Sequence, residues 1–503
     1  MSLLYQNPII HADYADPDVI RTGKDFWLVS SSFHQLPGLP LLHSRDLIHW
    51  KIVNHIITAL PSPEYDSVQP GKGVWAPSIR FHNDQFWVFY SLPDTGIFVT
   101  HARDPLGKWS EPRCLKAEPG WIDPCPFWDD DGRAWLIHAF AFSRSGIKNK
   151  LQLVEMMPDA SRLLDNERII FDGTPSHPTL EGPKLYKRNG EYWIFAPAGG
   201  VKRGWQTVFR ATSLYGPWAF RDVLHQGATP VNGPHQGAWV ELPNGENGFI
   251  HFQDKGVYGR IIHLQPLRWA NDGWPHIGKP LDENGKGQPV QTYRLPALAP
   301  SPCVLQDSDD FAGGKPGLQW QWQANPQDNW LASGPVGLSL RCIPTPADLS
   351  LYYLPQLLLQ KFPAERFSAR VVVQPVFYQQ GDEGGIAIYG QRFAALCVML
   401  TDTGITLCFR HGWMDDRGAI NEAVLPVREL NDIAHIELGY CVSYDGLVSF
   451  RYRLSGDSWQ SVTPPFSASA GKWIGARMGI YARGQHEEHT GKVTFSRFVV
   501  TQQ

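Results

Sequence analysis

Three acidic residues sit where apolar runs begin. Asp16 stands in "YADPDVI", Asp123 in "WIDPCPFW" and Glu181 in "TLEGPKLY". Asp16 and Asp123 each precede a proline, and Glu181 is followed by Gly182 and Pro183. A carboxylate at the mouth of an apolar strand contributes nothing to a core. Brought together, three such groups disfavour each other's ionisation, so at least one pKa rises. Crowding of this kind costs stability and marks a working site. Whether the three meet depends on the elements that carry them.

Those elements form a repeat. One aromatic hairpin recurs five times in the first 275 residues: "DFWLVSSSF", "QFWVFYSL", "RAWLIHAF", "EYWIFAPA" and "NGFIHFQD" are its second strands. A turn precedes each. With Trp27, Trp87, Trp135, Trp193 and Phe249 taken as equivalent, the spacings are 60, 48, 58 and 56 residues. A third strand and a closing aromatic follow, as in "LLHSRDLIHW", "FVTHARDPLGKW" and "VFRATSLYGPW". The fifth copy, "RIIHLQPLRWANDGWP", is looser, and the third, "LQLVEMMPDASRL", lacks its terminal Trp. Each unit reads as a meander of about four strands, the unit of a propeller blade. Five units predict a five-bladed β-propeller.

The first strand of each blade lines the central channel. Twelve residues before the repeat aromatic lie Glu181, Asp123, Trp75 and Ala15, the neighbour of Asp16. Fourteen before Phe249 lies His235, in "GPHQGAWVE". Asp16, Trp75, Asp123, Glu181 and His235 are therefore expected to occupy equivalent places and to converge at one mouth of the channel. Asp13 and Asp18 compete with Asp16 as turn or cap residues; the shared Asp-Pro pair favours Asp16.

Composition suits this reading. The chain has 503 residues, enough for two or three domains, with 20 Trp, 17 Tyr, 25 Phe, 47 Gly and 41 Pro. Such a mixture favours short strands and turns. A net charge of −4 with no basic stripe argues against nucleic acid and anionic membranes as partners, and is compatible with a neutral sugar. No basic-then-apolar leader opens the chain, and the apolar runs are too short to span a bilayer. The seven Cys are odd in number and form no C-x-x-C pair, so buried thiols are expected rather than a disulfide framework. A cytoplasmic location is expected on these grounds.

Proline density rises through "TYRLPALAPSPC" (292–303), an expected linker. The division predicted is a propeller over 1–300 and a second domain over 307–503. Beyond the linker, alternating runs such as "GLSLRC", "SARVVVQPVF", "GIAIYG", "ITLCFRHG", "LVSFRYRLSG" and "KVTFSRFVVTQ" predict a β-sandwich. It carries no convincing carboxylate pair. It either binds carbohydrate or braces the propeller and closes one side of the pocket. Sandwich edges often pair, so a homo-oligomer is conceivable.

With these motifs in order, the chain resembles glycoside hydrolase family 43, the β-xylosidase and α-L-arabinofuranosidase family. "ADPDVI", "WIDPCPFW" and "LEGPKLY" resemble its three carboxylate motifs, supported by "WAPSI", "SSF" (31–33), "GPHQGAW" and "GRIIHLQPLRWANDGWP". The resemblance covers nearly the whole chain and implies a concanavalin-like sandwich behind the propeller, in its bracing role. It implies hydrolysis with inversion, exo-acting on terminal xylose or arabinofuranose of xylan-derived oligosaccharides. Asp16 would then be the general base, Glu181 the general acid, and Asp123 the residue that raises the acid's pKa and orients it. An inverting pair sits roughly 6.5–9.5 Å apart so that water fits. Trp75 and Phe33 are the candidate stacking walls, and each reads equally as core. Arg260 would reach sugar hydroxyls or steady the acid pair. No cofactor is required. The resemblance also implies a structural calcium near the axis, held through water at His235. A buried core histidine is the competing reading there, since calcium prefers oxygen.

Two further motifs have bland readings. "DDD" (129–131) falls in a hairpin turn and is expected to be solvated. "RDP" (103–105) resembles a motif of glycoside hydrolase family 32, also a propeller with a sandwich. It lies in the outer part of a blade, so Arg103 and Asp104 are read as structural. Two alternatives to the main functional reading stand: action on arabinan or galactan fragments, and a silent sugar-binding propeller.

Overall fold

The computed structural model describes residues 4–296, 303–334, 336–430 and 433–503. Residues 297–302 of the expected linker lie outside the described residues. Among the described residues no helix is long and apolar enough to cross a membrane.

The chain is all-β, and its first part is a five-bladed propeller. Blade 1 holds Asp18–Thr22, Asp25–Val29, Gly38–Ser44 and Lys51–Ile57. Blade 2 holds Trp75–His82, Gln85–Leu92, Gly96–Ala102 and Arg113–Lys116. Blade 3 holds Trp121–Trp128, Ala134–Phe140, Lys150–Met156 and Arg168–Asp172. Blade 4 holds Lys184–Arg188, Glu191–Ala198, Trp205–Ala211 and Ala219–Leu224, extended by Gly287–Gln288 and Lys279–Pro280. Blade 5 holds His235–Glu241, Asn247–Asp254, Arg260–Trp269 and Pro275–Ile277. Leu4–Gln6 pairs with Thr292–Arg294, tying the start of the propeller to its end.

The five blades share a device that the aromatic count missed. Each first strand is preceded or interrupted by a left-handed residue and a proline: Asp16-Pro17, Ala76-Pro77, Asp123-Pro124, Gly182-Pro183 and Gly233-Pro234. Proline cannot donate to a ladder, so the pair drops out of the pairing. In blades 2 and 3 it forms a bulge, between Trp75 and Ser78 and between Ile122 and Cys125. This backbone register corrects the expected equivalence. Asp16 and Asp123 occupy one position; Trp75 and Glu181 lie one residue earlier; His235 lies two later. The last position is shared by Asp18, Ser78, Cys125, Lys184 and His235.

Four of those five residues knot the blades together at the axis. Lys184 is fully buried; its Nζ lies 2.6 Å from Ser78 Oγ, 3.1 Å from Pro77 O and 3.7 Å from Asp18 Oδ2. Asp18 Oδ2 also accepts from Arg80 Nη1 at 2.7 Å and from Ile79 N at 2.9 Å. Arg80 Nη2 reaches Cys125 Sγ at 3.0 Å. Charges removed from water persist only when paired, and here each has a partner from another blade.

The second part is the expected sandwich. One sheet has seven strands, ordered Gln321–Trp322, Leu358–Lys361, Arg477–Arg483, Glu383–Tyr389, Arg392–Thr401, Gly404–Met414 and Ile420–Glu429. The other has eight, with Lys492–Gln502 and Phe367–Val376 at its centre. Val371, Val373, Ile386, Leu396, Ile480 and Phe495 fill the space between. No disulfide is formed among the described residues; Cys125, Cys342, Cys397 and Cys408 are buried, while Cys114 is exposed.

Sandwich and propeller are joined by backbone and by charge. Leu36 and Trp322 exchange both backbone hydrogen bonds. Asp13 Oδ2 accepts from Arg477 Nη2 at 2.7 Å and from Gly475 N at 2.9 Å. Burial opposes ionisation of Asp13, but Arg477 and the N–H groups of Arg260 and Gly475 outweigh it and hold the carboxyl below its ordinary value. Asp13 is thus an inter-domain clamp, and Asp18 an axial one; neither competes with Asp16 for chemistry.

The other motifs resolve similarly. Asp104 Oδ1 accepts from Leu106 N at 2.9 Å in a turn, so the motif is structural. Asp130 and Asp131 are solvated as expected, but Asp129 is half-buried, its side chain 3% exposed, paired with Lys187 and accepting from Tyr192 Oη at 2.5 Å.

Removing one partner from a buried ionic knot leaves an uncompensated charge. Lys184→Met is expected to destabilise the protein by about 3–5 kcal/mol, read as a fall in the urea midpoint at pH 7. A loss under about 1 kcal/mol would show that the knot is not what joins blades 1, 2 and 4.

Candidate active site

A cavity of about 280 Å³ opens at the end of the channel where the Xaa-Pro pairs cluster. Asp16, Asp123 and Glu181 all line it, with Phe33, Trp75 and Arg260. The structure therefore brings these six residues to one cavity, although the backbone positions of the first-strand residues among them are not strictly equivalent. The left-handed turn aims Asp16 and Asp123 inward, and Glu181 points in from the position before the turn. Non-glycine residues in this conformation cost about 1–3 kcal/mol each, and Asp16, Ala76 and Asp123 all adopt it.

Asp16 is held on two sides. Arg260 Nη1 donates to Oδ1 at 2.9 Å and to Oδ2 at 3.1 Å. Ser31 Oγ donates to Oδ2 at 2.6 Å. Arg260 is buried, and Asp16 followed by Asp13 offset the desolvation that opposes its charge. Of the two expected roles for Arg260, steadying a carboxylate is realised, and the carboxylate is Asp16 rather than the Asp123–Glu181 pair.

Glu181 is the more open acid, its side chain 25% exposed. His235 Nε2 lies 2.8 Å from its Oε1 and restrains the carboxyl, donating when Nε2 carries the proton and accepting when Oε1 does. Asp123 sits behind, 4% exposed, and accepts from Gly182 N at 2.7 Å. Burial, followed by the charge of Glu181, pushes the Asp123 carboxyl well above its ordinary value. Burial first, and the neighbouring Glu181 charge second, thus lift Asp123, the deepest of the three.

The aromatic walls come from three places. Phe33 closes one side through paired backbone hydrogen bonds with Val74. Gly73 makes this possible: it has φ +83°, and a Cβ there would stand 2.0 Å from Phe33 O. Phe33 also packs with Leu351 and Tyr352 of the sandwich, so its wall and core roles coexist. Trp75 is half-buried and meets Trp473 edge-on at 6.1 Å. Trp473 is the sandwich residue that borders the cavity. Nothing near it in "GKWIG" signalled this, because only the docking of the two domains brings the loop to the mouth. Gln236 was also missed; it follows His235 and lines the cavity beside Gly182.

His235, the residue expected to hold a calcium through water, meets Glu181 in this structure. Calcium asks for 6–8 oxygen ligands. His235 turns one nitrogen to Glu181, and its buried Nδ1 has no hydrogen-bond partner. Among the described residues no group of three or more His, Cys, Asp or Glu side chains could hold a metal. His235 is buried, and its Nε2 restrains the Glu181 carboxyl.

The raised Asp123 carboxyl has a consequence for stability. A carboxyl whose folded pKa lies above its unfolded value of 3.8 contributes stability that is present below that value. The contribution is lost as pH rises through the folded pKa. Asp123→Asn removes this penalty and keeps an acceptor for Gly182 N. The melting temperature of the variant relative to wild type should rise by about 2 °C between pH 4 and pH 8. A difference that does not change with pH would contradict the raised carboxyl.

Comparison with known proteins agrees with this geometry. The family model "Glycosyl hydrolases family 43" matches residues 5–275, and "Beta xylosidase C-terminal Concanavalin A-like domain" matches residues 308–501. A protein of Xylanibacter ruminicola described as "Putative beta-xylosidase" is 37% identical, over 94% of this chain and 85% of its own length. A non-reducing end alpha-L-arabinofuranosidase of Bacteroides ovatus is 26% identical, over 98% of this chain and 94% of its own. The solved xylan beta-1,4-xylosidase from Bacillus halodurans, 24% identical, shares the fold with a TM-score of 0.86 over 99% of this chain and all of that one. Both domains, in order and over nearly the full chain, have the same counterpart: the protein is a glycoside hydrolase and belongs to glycosyl hydrolase family 43.

Proposed function

We propose that the enzyme is an exo-acting, inverting glycosidase that releases terminal xylose or arabinofuranose from short xylan-derived oligosaccharides. The observation that carries this is one cavity into which Asp16 and Glu181 point from blades 1 and 4, with Asp123 buried behind Glu181. The names of the relatives, beta-xylosidase and alpha-L-arabinofuranosidase, support the sugar class. The volume of about 280 Å³ supports a single terminal residue. It lies just below the usual range of ligand pockets, roughly 300–1,000 Å³.

In this reading Glu181 gives a proton to the glycosidic oxygen as the C–O bond breaks. A water on the other face of the sugar attacks the anomeric carbon and gives its proton to Asp16. Burial, followed by the charge of Glu181, disfavours the ionised form of the Asp123 carboxyl behind it. His235 keeps the Glu181 carboxyl aimed while the proton leaves. Phe33, Trp75 and Trp473 offer apolar faces to the C–H faces of the ring. Arg260 balances the charge that Asp16 carries before it takes the proton.

Hydrolysis of 4-nitrophenyl β-D-xylopyranoside and α-L-arabinofuranoside, measured in parallel, tests the class and names the preferred sugar. Glu181→Gln and Asp16→Asn are each expected to lower kcat by about 10²–10⁴-fold while substrate still binds. Retained activity in Glu181→Gln would remove it as the acid. Absence of turnover in the wild type on both substrates would move the reading to arabinan or galactan fragments, or to a silent binding propeller. Proton NMR of the first product tests inversion: xylose from a β-linkage should appear as the α-anomer, and the β-anomer would show retention.

A further inference from the structure

Ser31 carries a hydroxyl that the reaction above does not use. It is 3% exposed and lies where blade 1 passes the cavity. Its Oγ is 2.6 Å from Asp16 Oδ2 and 2.7 Å from Ala76 N. A backbone N–H only donates, so Oγ must accept from Ala76. The hydroxyl proton is then committed to Asp16, and the donor's direction is set by blade 2 rather than by rotation about the Ser31 side chain.

This makes the two oxygens of Asp16 different. Oδ2 receives Ser31 Oγ at 2.6 Å and Arg260 Nη1 at 3.1 Å. Among the described residues Oδ1 receives Arg260 Nη1, at 2.9 Å, and no other donor. A carboxylate oxygen has about two lone-pair sites, so Oδ2 is filled and Oδ1 retains a vacancy. We infer that Ser31 is a positioning residue that turns Asp16 so that Oδ1 is the atom that takes the proton from the attacking water.

The inference rests on the reading of Asp16 as the base. In the step, the water oxygen bonds to the anomeric carbon, one water O–H bond breaks, and its proton goes to Oδ1. The electron pair of the scissile C–O bond leaves with the glycosidic oxygen, which takes the proton of Glu181. Ser31 exchanges no proton. It also couples the base to the cavity wall, because Ala76 follows Trp75, and Ser31 N donates to Ala15 O at 2.9 Å.

Other charges around Asp16 remain when Ser31 is changed. Arg260 faces it from blade 5, Asp123 from blade 3 and Glu181 from blade 4; Asp13 and Asp254 act on Arg260. Removal of the hydroxyl withdraws one hydrogen bond from ionised Asp16 without altering this set. A hydrogen bond to a charged group stabilises its charged form, so loss of that bond should move the acidic limb of the pH profile of kcat/KM upward.

The test compares wild type, Ser31→Ala, Ser31→Thr, Ser31→Cys and Asp16→Asn on the better 4-nitrophenyl glycoside, from pH 4 to pH 9, with melting temperatures. Ser31→Ala is expected to lower kcat about 10–100-fold, to leave KM within about threefold, and to move the acidic limb upward. Ser31→Thr keeps the hydroxyl and should recover most of the rate with the limb at its original place. If Ser31→Ala does not fold, Ser31→Cys, which keeps a side chain of similar shape but is only a weak donor, should show the same shift in smaller measure. Wild-type kcat with an unmoved limb in Ser31→Ala overturns the inference, as does a Ser31→Thr enzyme as slow as Ser31→Ala with the limb moved alike. Asp16→Asn separates the two claims: an inactive Asp16→Asn beside a normal Ser31→Ala removes only the role of Ser31. An active Asp16→Asn removes the base assignment itself.

Discussion

The arrangement of the site depends on a buried charge at the propeller axis. Asp18 has no solvent exposure, and Arg80 and Lys184 reach it from blades 2 and 4. In a low-dielectric interior these charges attract strongly and would be costly apart. The knot fixes the starts of three first strands relative to one another. Asp16 lies two residues before Asp18, and Glu181 three before Lys184, so the spacing of the two carboxylates at the mouth is inherited from the pair below them. Blade 3 joins through Cys125, two residues after Asp123.

Above the knot the backbone carries strain. Each first strand bends at a left-handed residue followed by proline, and three of the five residues are not glycine. That conformation costs energy at Asp16, Ala76 and Asp123, and it is placed where side chains must leave the sheet pattern and face a ligand. A regular strand would bury every second residue in the blade faces. The break at the proline instead lets Asp16, Asp123 and Glu181 face the cavity while the residues that follow form the ladder. The stiffness of the surrounding blades, with their buried Trp and Phe, makes this tolerable.

The sandwich completes the cavity. Asp13, three residues before Asp16, is clamped by Arg477 and Gly475. Trp473 lies two residues before Gly475 on the same loop and stands at the cavity mouth. The clamp and the wall are thus parts of one short segment, and docking of the domains places an aromatic beside Arg260 and Trp75. Bracing the propeller, rather than independent binding, is the role this geometry supports.

Much was legible in the sequence for a physical reason. Blade strands are short, amphipathic and aromatic, and their repetition survives in the pattern around Trp27, Trp87, Trp135, Trp193 and Phe249. Pseudo-symmetry then turns five distant positions into neighbours, so Asp16, Trp75, Asp123 and Glu181 could be gathered without a structure. What the tertiary structure alone decided is what depends on burial and on side-chain direction. It separated Asp13, Asp16 and Asp18, which look alike in the chain but meet Arg477, Ser31 with Arg260, and Lys184 with Arg80. It showed Asp123 to be the acid lifted by burial, turned His235 toward Glu181, and brought Trp473 across the domain boundary. A linear pattern records which residues share a face. It does not record which oxygen a hydroxyl points to, or which loop of another domain closes over the site, because those are fixed only when the packed surfaces meet.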